Sequence, residues 1–387
     1  MAAPMARQPA LPGGGWLERL RGGRDRLLAS ARFRDAAAAF PLTRPLARRR
    51  ARALFDLCAG FVYSQILLAC VRLRLFDLLR DGPQPVAPLA HRLGLPAERA
   101  RRLCAAAAAL GLLARRSGDR YALGPLGAAL AGNPAVAAMI EHHALLYADL
   151  ADPVRLLRGE ARTALRDYWA YAAGEAPAAL ADDRVAAYSA LMSASQPLVA
   201  GEVLDAYPLA RHRCLLDVGG GEGAFLISAA ERAPALRLML FDLPAVARRA
   251  RERLAAAGLA GRAQVFAGDF RSDRLPSGAD VVSLVRVVHD HDDATVLALL
   301  RAVRAALLPG GTVLVAEPMS ETRGAEPIGD AYFGFYLLAM GSGRPRSPRE
   351  HATLLRTAGF ERPRLLRTRL PLQTQVLVAR APASGGR

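Results

Sequence analysis

Asp217-Val-Gly-Gly-Gly-Glu-Gly223 is the stretch on which the reading of this chain turns. It follows the apolar run Cys214-Leu-Leu and leads into Ala224-Phe-Leu-Ile-Ser-Ala-Ala, which reads as a helix start. An acidic residue followed by glycines at 219, 221 and 223 marks a strand-to-helix turn shaped for a nucleotide-like cofactor. Glycine tolerates positive φ and lets the backbone approach a ligand, and the helix start offers free N–H donors. NAD enzymes and methyltransferases share such a turn, so the downstream spacing must separate them.

Asp242 closes the next apolar run, Leu236-Arg-Leu-Met-Leu-Phe-Asp242, where a carboxylate at a strand tip can accept hydrogen bonds from a ribose diol. Ala263-Gln-Val-Phe-Ala-Gly-Asp269-Phe270 reads as a third strand ending in an acid and an aromatic ring, a pair suited to the amine and face of an adenine. A fourth strand, 279–288, runs into His289-Asp290-His291-Asp292-Asp293, and a fifth, Gly311 to Pro318, follows the turn Leu308-Pro-Gly-Gly. Arg364–Arg369 and Gln373–Arg380 are separated only by a short connection around Pro371. Such strands must be antiparallel, because a parallel crossover needs a dozen or more residues. That terminal hairpin suits a methyltransferase sheet and argues against a NAD dehydrogenase.

Asp-Val-Gly-Gly-Gly-x-Gly, Phe-Asp-Leu-Pro (241–244), Gly-Asp-Phe (268–270), Val-His-Asp (288–290) and Pro-Gly-Gly (309–311) occur in order over about a hundred residues. The set resembles the S-adenosylmethionine-dependent small-molecule O-methyltransferases, the plant caffeic acid type in particular. It implies S-adenosyl-L-methionine as cofactor, with Gly219, Gly221, Asp242, Asp269, Phe270 and Arg286 facing it. For Arg286 solvent exposure is the other reading, because plant relatives carry a Lys one position earlier. The resemblance places a general base at His289 and its carboxylate partner at Glu317, the end of the fifth strand. Plant relatives add a second Glu before the late helix. Here Pro345 falls at that place, and Glu350 is too far along to substitute. His291 reads as an exposed helix-start residue. Tyr188 and Met192 match an aromatic–x₃–Met pair that grips the acceptor in the family, with core packing as the other reading. Phe333, Tyr336 and Met340 fall on the helix that roofs the acceptor pocket in relatives.

The fold expected is α/β: a seven-stranded, doubly wound, Rossmann-like methyltransferase sheet preceded by a mostly helical winged-helix dimerisation domain. Residues 1–50 form an Arg-rich arm with Trp16 and six Arg between positions 18 and 34, then Arg48-Arg49-Arg50. Residues 51–132 read as the winged helix, with a long helix over 51–80 and a hairpin turning at Ser117-Gly118-Asp119. Residues 133–210 are a helical linker and substrate-pocket segment, with Tyr168-Trp169-Ala-Tyr171 in a loop and a long helix from about Asp183 to Tyr207. The methyltransferase domain spans 211–381, followed by a short disordered tail.

The net charge of +17 would ordinarily point to nucleic acid or an anionic surface. All 52 basic residues are Arg, however, with no Lys, which reads chiefly as coding bias of a GC-rich genome. Cys58, Cys70, Cys104 and Cys214 are widely spaced in apolar contexts. They read as buried, reduced thiols, with no metal spacing. Residues 1–15 lack the apolar core of a signal peptide. The apolar stretch Leu57–Val71 is shorter than the ~20 residues that span a bilayer. The expectation is a cytoplasmic protein, with the arm allowing peripheral contact with an anionic inner or photosynthetic membrane, although a solvated or dimer-packed arm suits its loose apolar spacing better.

Over nearly the whole chain the sequence is also similar to bacterial carotenoid hydroxyl methyltransferases of the hydroxyneurosporene or demethylspheroidene type. The segments that carry this are Pro41–Arg50, Phe61–Cys70 and Met340–Ser347. The implied partners are an apolar hydroxylated small-molecule acceptor, a C1 tertiary alcohol on an acyclic carotenoid, and a second copy of the chain, without specific nucleic acid. Two rivals remain at this point: the same reaction on a phenolic polyketide or another aromatic metabolite, and a winged-helix transcription regulator that senses a ligand. Arg99, Arg101 and Arg102 on the would-be recognition helix keep the second open.

Overall fold

The computed structural model describes residues 16–169 and 182–383. The chain divides into two units, Met1–Pro125 and Leu126–Arg387. In the first, the arm is helical: α1 (Trp16–Ala29), α2 (Ala31–Ala39) and α3 (Arg44–Arg72) follow one another. The long helix thus lies further toward the N-terminus than the 51–80 expected. Arg74, in the left-handed region at φ 54°, ends it and starts the short α4 (Leu75–Leu78). Apolar side chains cover much of α3, yet Leu57 is 81% and Phe61 73% exposed. Cys58, expected to be buried, is exposed on the same helix, whereas Cys70, Cys104 and Cys214 are buried. By length and composition alone α3 could cross a membrane, with mean hydropathy 1.8 over an 18-residue window. It outreaches the Leu57–Val71 stretch from which its length was judged.

β1 (Gln84–Pro85), α5 (Val86–Leu93), α6 (Ala97–Ala109), β2 (Leu113–Arg116) and β3 (Arg120–Leu123) complete a winged helix. Their three strands are antiparallel in the order β1-β3-β2. Pro96 caps α6 in extended geometry rather than occupying its first turn. On α6, Arg101 is tied to Asp119 of the wing at 2.7 Å and to Glu98 at 3.6 Å.

The second unit opens with α7 (Pro125–Leu130), α8 (Pro134–Asp149), α9 (Pro153–Leu157), α10 (Ala164–Tyr168) and α11 (Asp182–Ala206). Tyr168 therefore ends a short helix instead of lying in a loop, and Trp169 caps it. The Asp149 carboxylate sets that start by accepting the N–H groups of Ala164 and Leu165. Tyr171 and the last residues of the tail lie outside the described residues.

The sheet then forms from β4 (Cys214–Val218), β5 (Arg237–Asp242), β6 (Ala263–Ala267), β7 (Ala279–Val285), β8 (Leu307–Glu317), β9 (Glu361–Leu366) and β10 (Gln375–Arg380). Its order is β6-β5-β4-β7-β8-β10-β9. The first five strands are parallel and the final pair antiparallel, with Gln375 opposite Glu317. Connecting helices α12 (Ala224–Arg232), α13 (Pro244–Ala256), α14 (Asp293–Ala306), α15 (Phe333–Met340) and α16 (Pro348–Thr357) complete the chain order. Every residue of β4 is buried, as a parallel strand covered on both faces requires. One apolar cluster includes Leu216, Val282 and Leu300, and another includes Leu215, Leu226 and Val281. Strand order reverses between β4 and β7, so the crevice beyond their carboxyl ends is where a ligand belongs.

Candidate active site

A half-open cleft lies at that edge. Its lining includes Gly219, Gly221, Asp242, Asp269, Phe270 and Arg286, so the whole expected cofactor set is brought together. At Gly219 (φ +68°) a Cβ would stand 2.8 Å from Val287 Cγ2, so only glycine lets the loop turn there. Gly221 (φ +58°) faces open space. Its N–H donates to Asp242 Oδ2 at 2.7 Å, and Leu243 N–H donates to Oδ1 at 2.7 Å. Loss of water nevertheless raises the Asp242 carboxyl to about 6, against the pull of those two bonds. Asp269 is clasped by Arg271, whose guanidinium approaches to 2.9 Å. Burial raises that carboxyl, but the Arg271 contacts outweigh it and hold the group below the usual range.

Arg286 adopts positive φ at the tip of β7. Its guanidinium reaches across the cleft to α11, donating to Ser195 Oγ at 2.8 Å and approaching Met192 Sδ at 3.0 Å. Tyr188 and Met192 also line the cleft. Several lining residues were not foreseen, Glu222 among them. Glu222, inside the glycine run, accepts from Arg249 at 2.6 Å, Arg253 at 3.2 Å and Ser193 at 3.2 Å, tying the loop to α13 and α11. Its one signal in the sequence is an acid flanked by glycines.

Beyond β7 the chain makes a single 3₁₀ turn, Val288–Asp290, and His291 is extended at φ −123°. Helix α14 begins only after Asp292, whose side chain caps it. His291 is therefore not an exposed helix-start residue. It is buried, its ring lies edge-on to Phe270 with centroids 5.2 Å apart, and with Asp290 it lines the cleft. Burial holds His291 below the usual imidazole range, against the opposing pull of Asp290.

His289 is 6% exposed, with Nε2 3.3 Å from Asp290 Oδ1 and its ring stacked on Phe333. Glu317 is wholly buried and accepts the backbone N–H of His289 at 3.0 Å. Glu317, the expected carboxylate partner, thus meets the main chain of His289 rather than its ring. Burial raises the Glu317 carboxyl, but the His289 and His351 rings and its hydrogen bonds overcome this and hold it below the ordinary carboxylate range.

The segment after α15 locks this turn from behind. Gly343 packs so closely that a Cβ would fall 2.0 Å from the His289 carbonyl oxygen. Arg344 N–H donates to that oxygen at 3.0 Å, and Ser342 Oγ donates to the Asp290 carbonyl at 2.7 Å. Arg346, fully buried, donates to the carbonyls of Val288 at 3.0 Å and His291 at 2.7 Å and pairs with Asp293. Sequence reading missed Arg346 because one more Arg carries no signal in a chain whose basic residues are all Arg. Glu350 serves the capping box of α16 with Ser347.

Comparison with known proteins resolves which cofactor class owns this cleft. Residues 147–361 match the family described as O-methyltransferase domain, and residues 55–133 match the O-methyltransferase dimerisation domain. The chain belongs to the S-adenosylmethionine-dependent O-methyltransferases. It is 47% identical to demethylspheroidene O-methyltransferase of Cereibacter sphaeroides, over 92% of this chain and 93% of that protein. Identity to the Rhodobacter capsulatus protein of the same name is 41%, over 96% of this chain and 94% of the relative. Among solved structures, human N-acetylserotonin methyltransferase in complex with SAM superposes with TM-score 0.71 at 26% identity, covering 86% of this chain and 98% of that one. The dimerisation domain supports a homodimer.

The enzyme's cleft fits S-adenosylmethionine. Glycine backbone faces open space at 221, the Asp242 carboxylate stands at the second strand tip for a ribose diol, and Asp269 with Phe270 stands at the third for adenine. Of the expected acceptor residues, Phe333 lies on His289, whereas Tyr336 and Met340 are buried in a cluster with Trp169, Tyr188 and Leu337 rather than on the cleft wall. That cluster is pinned by polar contacts. Trp169 Nε1–H donates to Tyr336 Oη at 2.8 Å, and that hydroxyl bonds His142 Nε2 at 2.7 Å. Burial, aided by His143, lowers His142 to about 4, which leaves the ring neutral at cellular pH. His143 makes the matching 2.7 Å contact with Tyr332.

Proposed function

We propose that this O-methyltransferase methylates the C1 tertiary hydroxyl of an acyclic carotenoid, with His289 as general base. The observation that carries the acceptor is identity of 47% and 41% to two demethylspheroidene O-methyltransferases along almost the full chain. Aromatic chemistry around the base agrees with an apolar acceptor, since Phe333 lies flat on the His289 ring. Bound S-adenosylmethionine supplies a methyl group on a positively charged sulfur, ready for attack by oxygen.

The protein must then align the acceptor hydroxyl and take its proton. A tertiary alcohol is far less acidic than a phenol, so its proton leaves as the oxygen–carbon bond forms rather than beforehand. His289 Nε2 takes it, and the imidazolium is balanced by Glu317 behind and Asp290 beside it.

The phenolic reading is separated by one assay. Labelled S-adenosylmethionine is incubated with hydroxylated acyclic carotenoids and, in parallel, with phenolic acceptors. Label carried only by the phenols overturns the acceptor assigned here. A polyene partitions into membrane, so we also place the enzyme peripherally at an anionic bilayer on the cytoplasmic side. Trp16 (70% exposed), Leu42 (82% exposed) and the Arg48–Arg50 run are the contacts that support this.

A further inference from the structure

Among the described residues, few buried side-chain nitrogen or oxygen atoms lack a hydrogen-bond partner, and three of them surround one carboxylate: His289 Nδ1, Glu317 Oε1 and His351 Nε2. His351, on α16, is 2% exposed, and its Nε2 lies 3.1 Å from Glu317 Oε1. That separation is short enough for a bond, but the alignment falls short of one. Glu317 Oε2 is already occupied by the main-chain N–H of His289. Isolated unsatisfied groups are rare in folded interiors, because each costs ~1–3 kcal/mol in lost solvation. Three together on a wholly buried acid are a poised network.

We infer that His351 is the second support of the His289–Glu317 pair, a positioning residue that holds the Glu317 carboxylate for the imidazolium formed in each turnover. The inference rests on His289 being the base. A small turn of either side chain brings His351 Nε2–H, 3.1 Å away, onto Oε1 and fixes the carboxylate there. During methyl transfer the acceptor's O–H bond breaks, its proton bonds to His289 Nε2, and the alcohol's electron pair forms the new oxygen–carbon bond. The positive charge on the ring then extends to Nδ1–H, for which Glu317 is the buried anion at hand. His351 fixes that anion from the opposite side. Pro345, where the family resemblance placed a second carboxylate, has no side-chain acceptor or donor, and His351 stands 3.1 Å from Glu317 instead.

The test compares His351→Leu, which removes the donor, with His351→Gln, whose amide N–H reaches the place of Nε2. Both are assayed beside His289→Ala, with S-adenosylmethionine affinity measured separately by calorimetry. His351→Leu should lower kcat about tenfold or more while cofactor affinity and acceptor KM stay within about twofold, and His351→Gln should recover most of kcat. In a Glu317→Gln background, His351→Leu should change nothing further. The inference is overturned if His351→Leu keeps normal kcat, if its loss lies in KM, or if Leu and Gln behave alike. Should the Leu protein not fold, His351→Asn takes its place, since Asn places its donor near Nδ1, and equal activity of Asn and Gln overturns the inference. Near-normal turnover by His289→Ala would instead remove the base assignment itself.

Discussion

The cofactor wall and the turn bearing His289 lie at the same edge of one sheet, but they are held by different kinds of contact. Asp242 and the glycine loop are fixed by the ends of neighbouring strands, through Gly221 N–H to Asp242 and Gly219 N–H to the Phe241 carbonyl. The turn at 288–291 is held by residues far along the chain: Glu317, Ser342, Arg344 and Arg346. The first arrangement comes with the parallel sheet. The second exists only once the segment after α15 has docked. Cofactor binding and catalysis should therefore fail separately.

The largest effect expected is on chemistry alone. His289→Ala should cut turnover by ~10²–10⁴-fold, the usual share of a general base, and leave calorimetric affinity for S-adenosylmethionine close to wild type. Equal losses in both would erase the distinction between wall and turn. Near-normal turnover would mean that alignment does the work without a base.

Next comes Arg346→Met, which keeps the bulk but removes the donors that reach Val288, His291 and Asp293. Buried carbonyls left unpaired should lower unfolding free energy by ~2–4 kcal/mol, measured by denaturant titration. Activity should fall with it, because the His289 turn loses its brace. If stability is unchanged, the turn stands by itself and long-range docking is not what holds it.

Asp242→Ala tests the local wall. Losing a charged acceptor should weaken S-adenosylmethionine binding about ten- to a hundredfold, with little effect on unfolding. The wild-type wall also carries a pH signature. Asp242 titrates at about 6 in the ligand-free protein. Below that pH it is protonated and loses acceptor capacity, so affinity should decline as pH falls through 6 and stay level above it. Calorimetry between pH 5 and 8 checks this, and Asp242→Asn should flatten the profile.

The sequence carried the wall well because each of its residues sits at a fixed offset from a strand end, and hydrophobic runs mark those ends plainly. His289 and Glu317 could be located at strand ends in the same way, but their roles came from the family resemblance. His291 was misplaced because a one-turn 3₁₀ segment has no sequence period, and the capping acid Asp292 shifted the helix start past it. Arg346 and His351 stayed hidden since their partners lie far upstream in other elements, 58 residues away for Val288, with no local pattern to announce them. Tyr336 and Met340 lie on the expected helix, yet they pack in a buried cluster with Trp169 and Tyr188. A helix placed correctly can still turn its side chains into the core instead of the cleft.

The smallest effect concerns the arm, which is as far from local motif as the chain offers. In α1 the apolar residues Trp16, Leu20 and Leu27 are exposed among arginines, and Arg24 pairs with its neighbour Asp25. If these residues meet an anionic bilayer, each Arg near the surface contributes ~1 kcal/mol. If instead the arginines reflect codon bias on an arm packed in a dimer, anionic lipid should make no difference. Flotation with liposomes, with and without anionic lipid, on full-length and arm-deleted protein separates the two. The expected result is lipid-charge-dependent flotation of the full-length enzyme that fades as salt shortens the screening length to a few ångström. Equal flotation of both proteins would move the anchor away from the arm, and salt-insensitive binding would assign the contact to apolar surface such as that of α3.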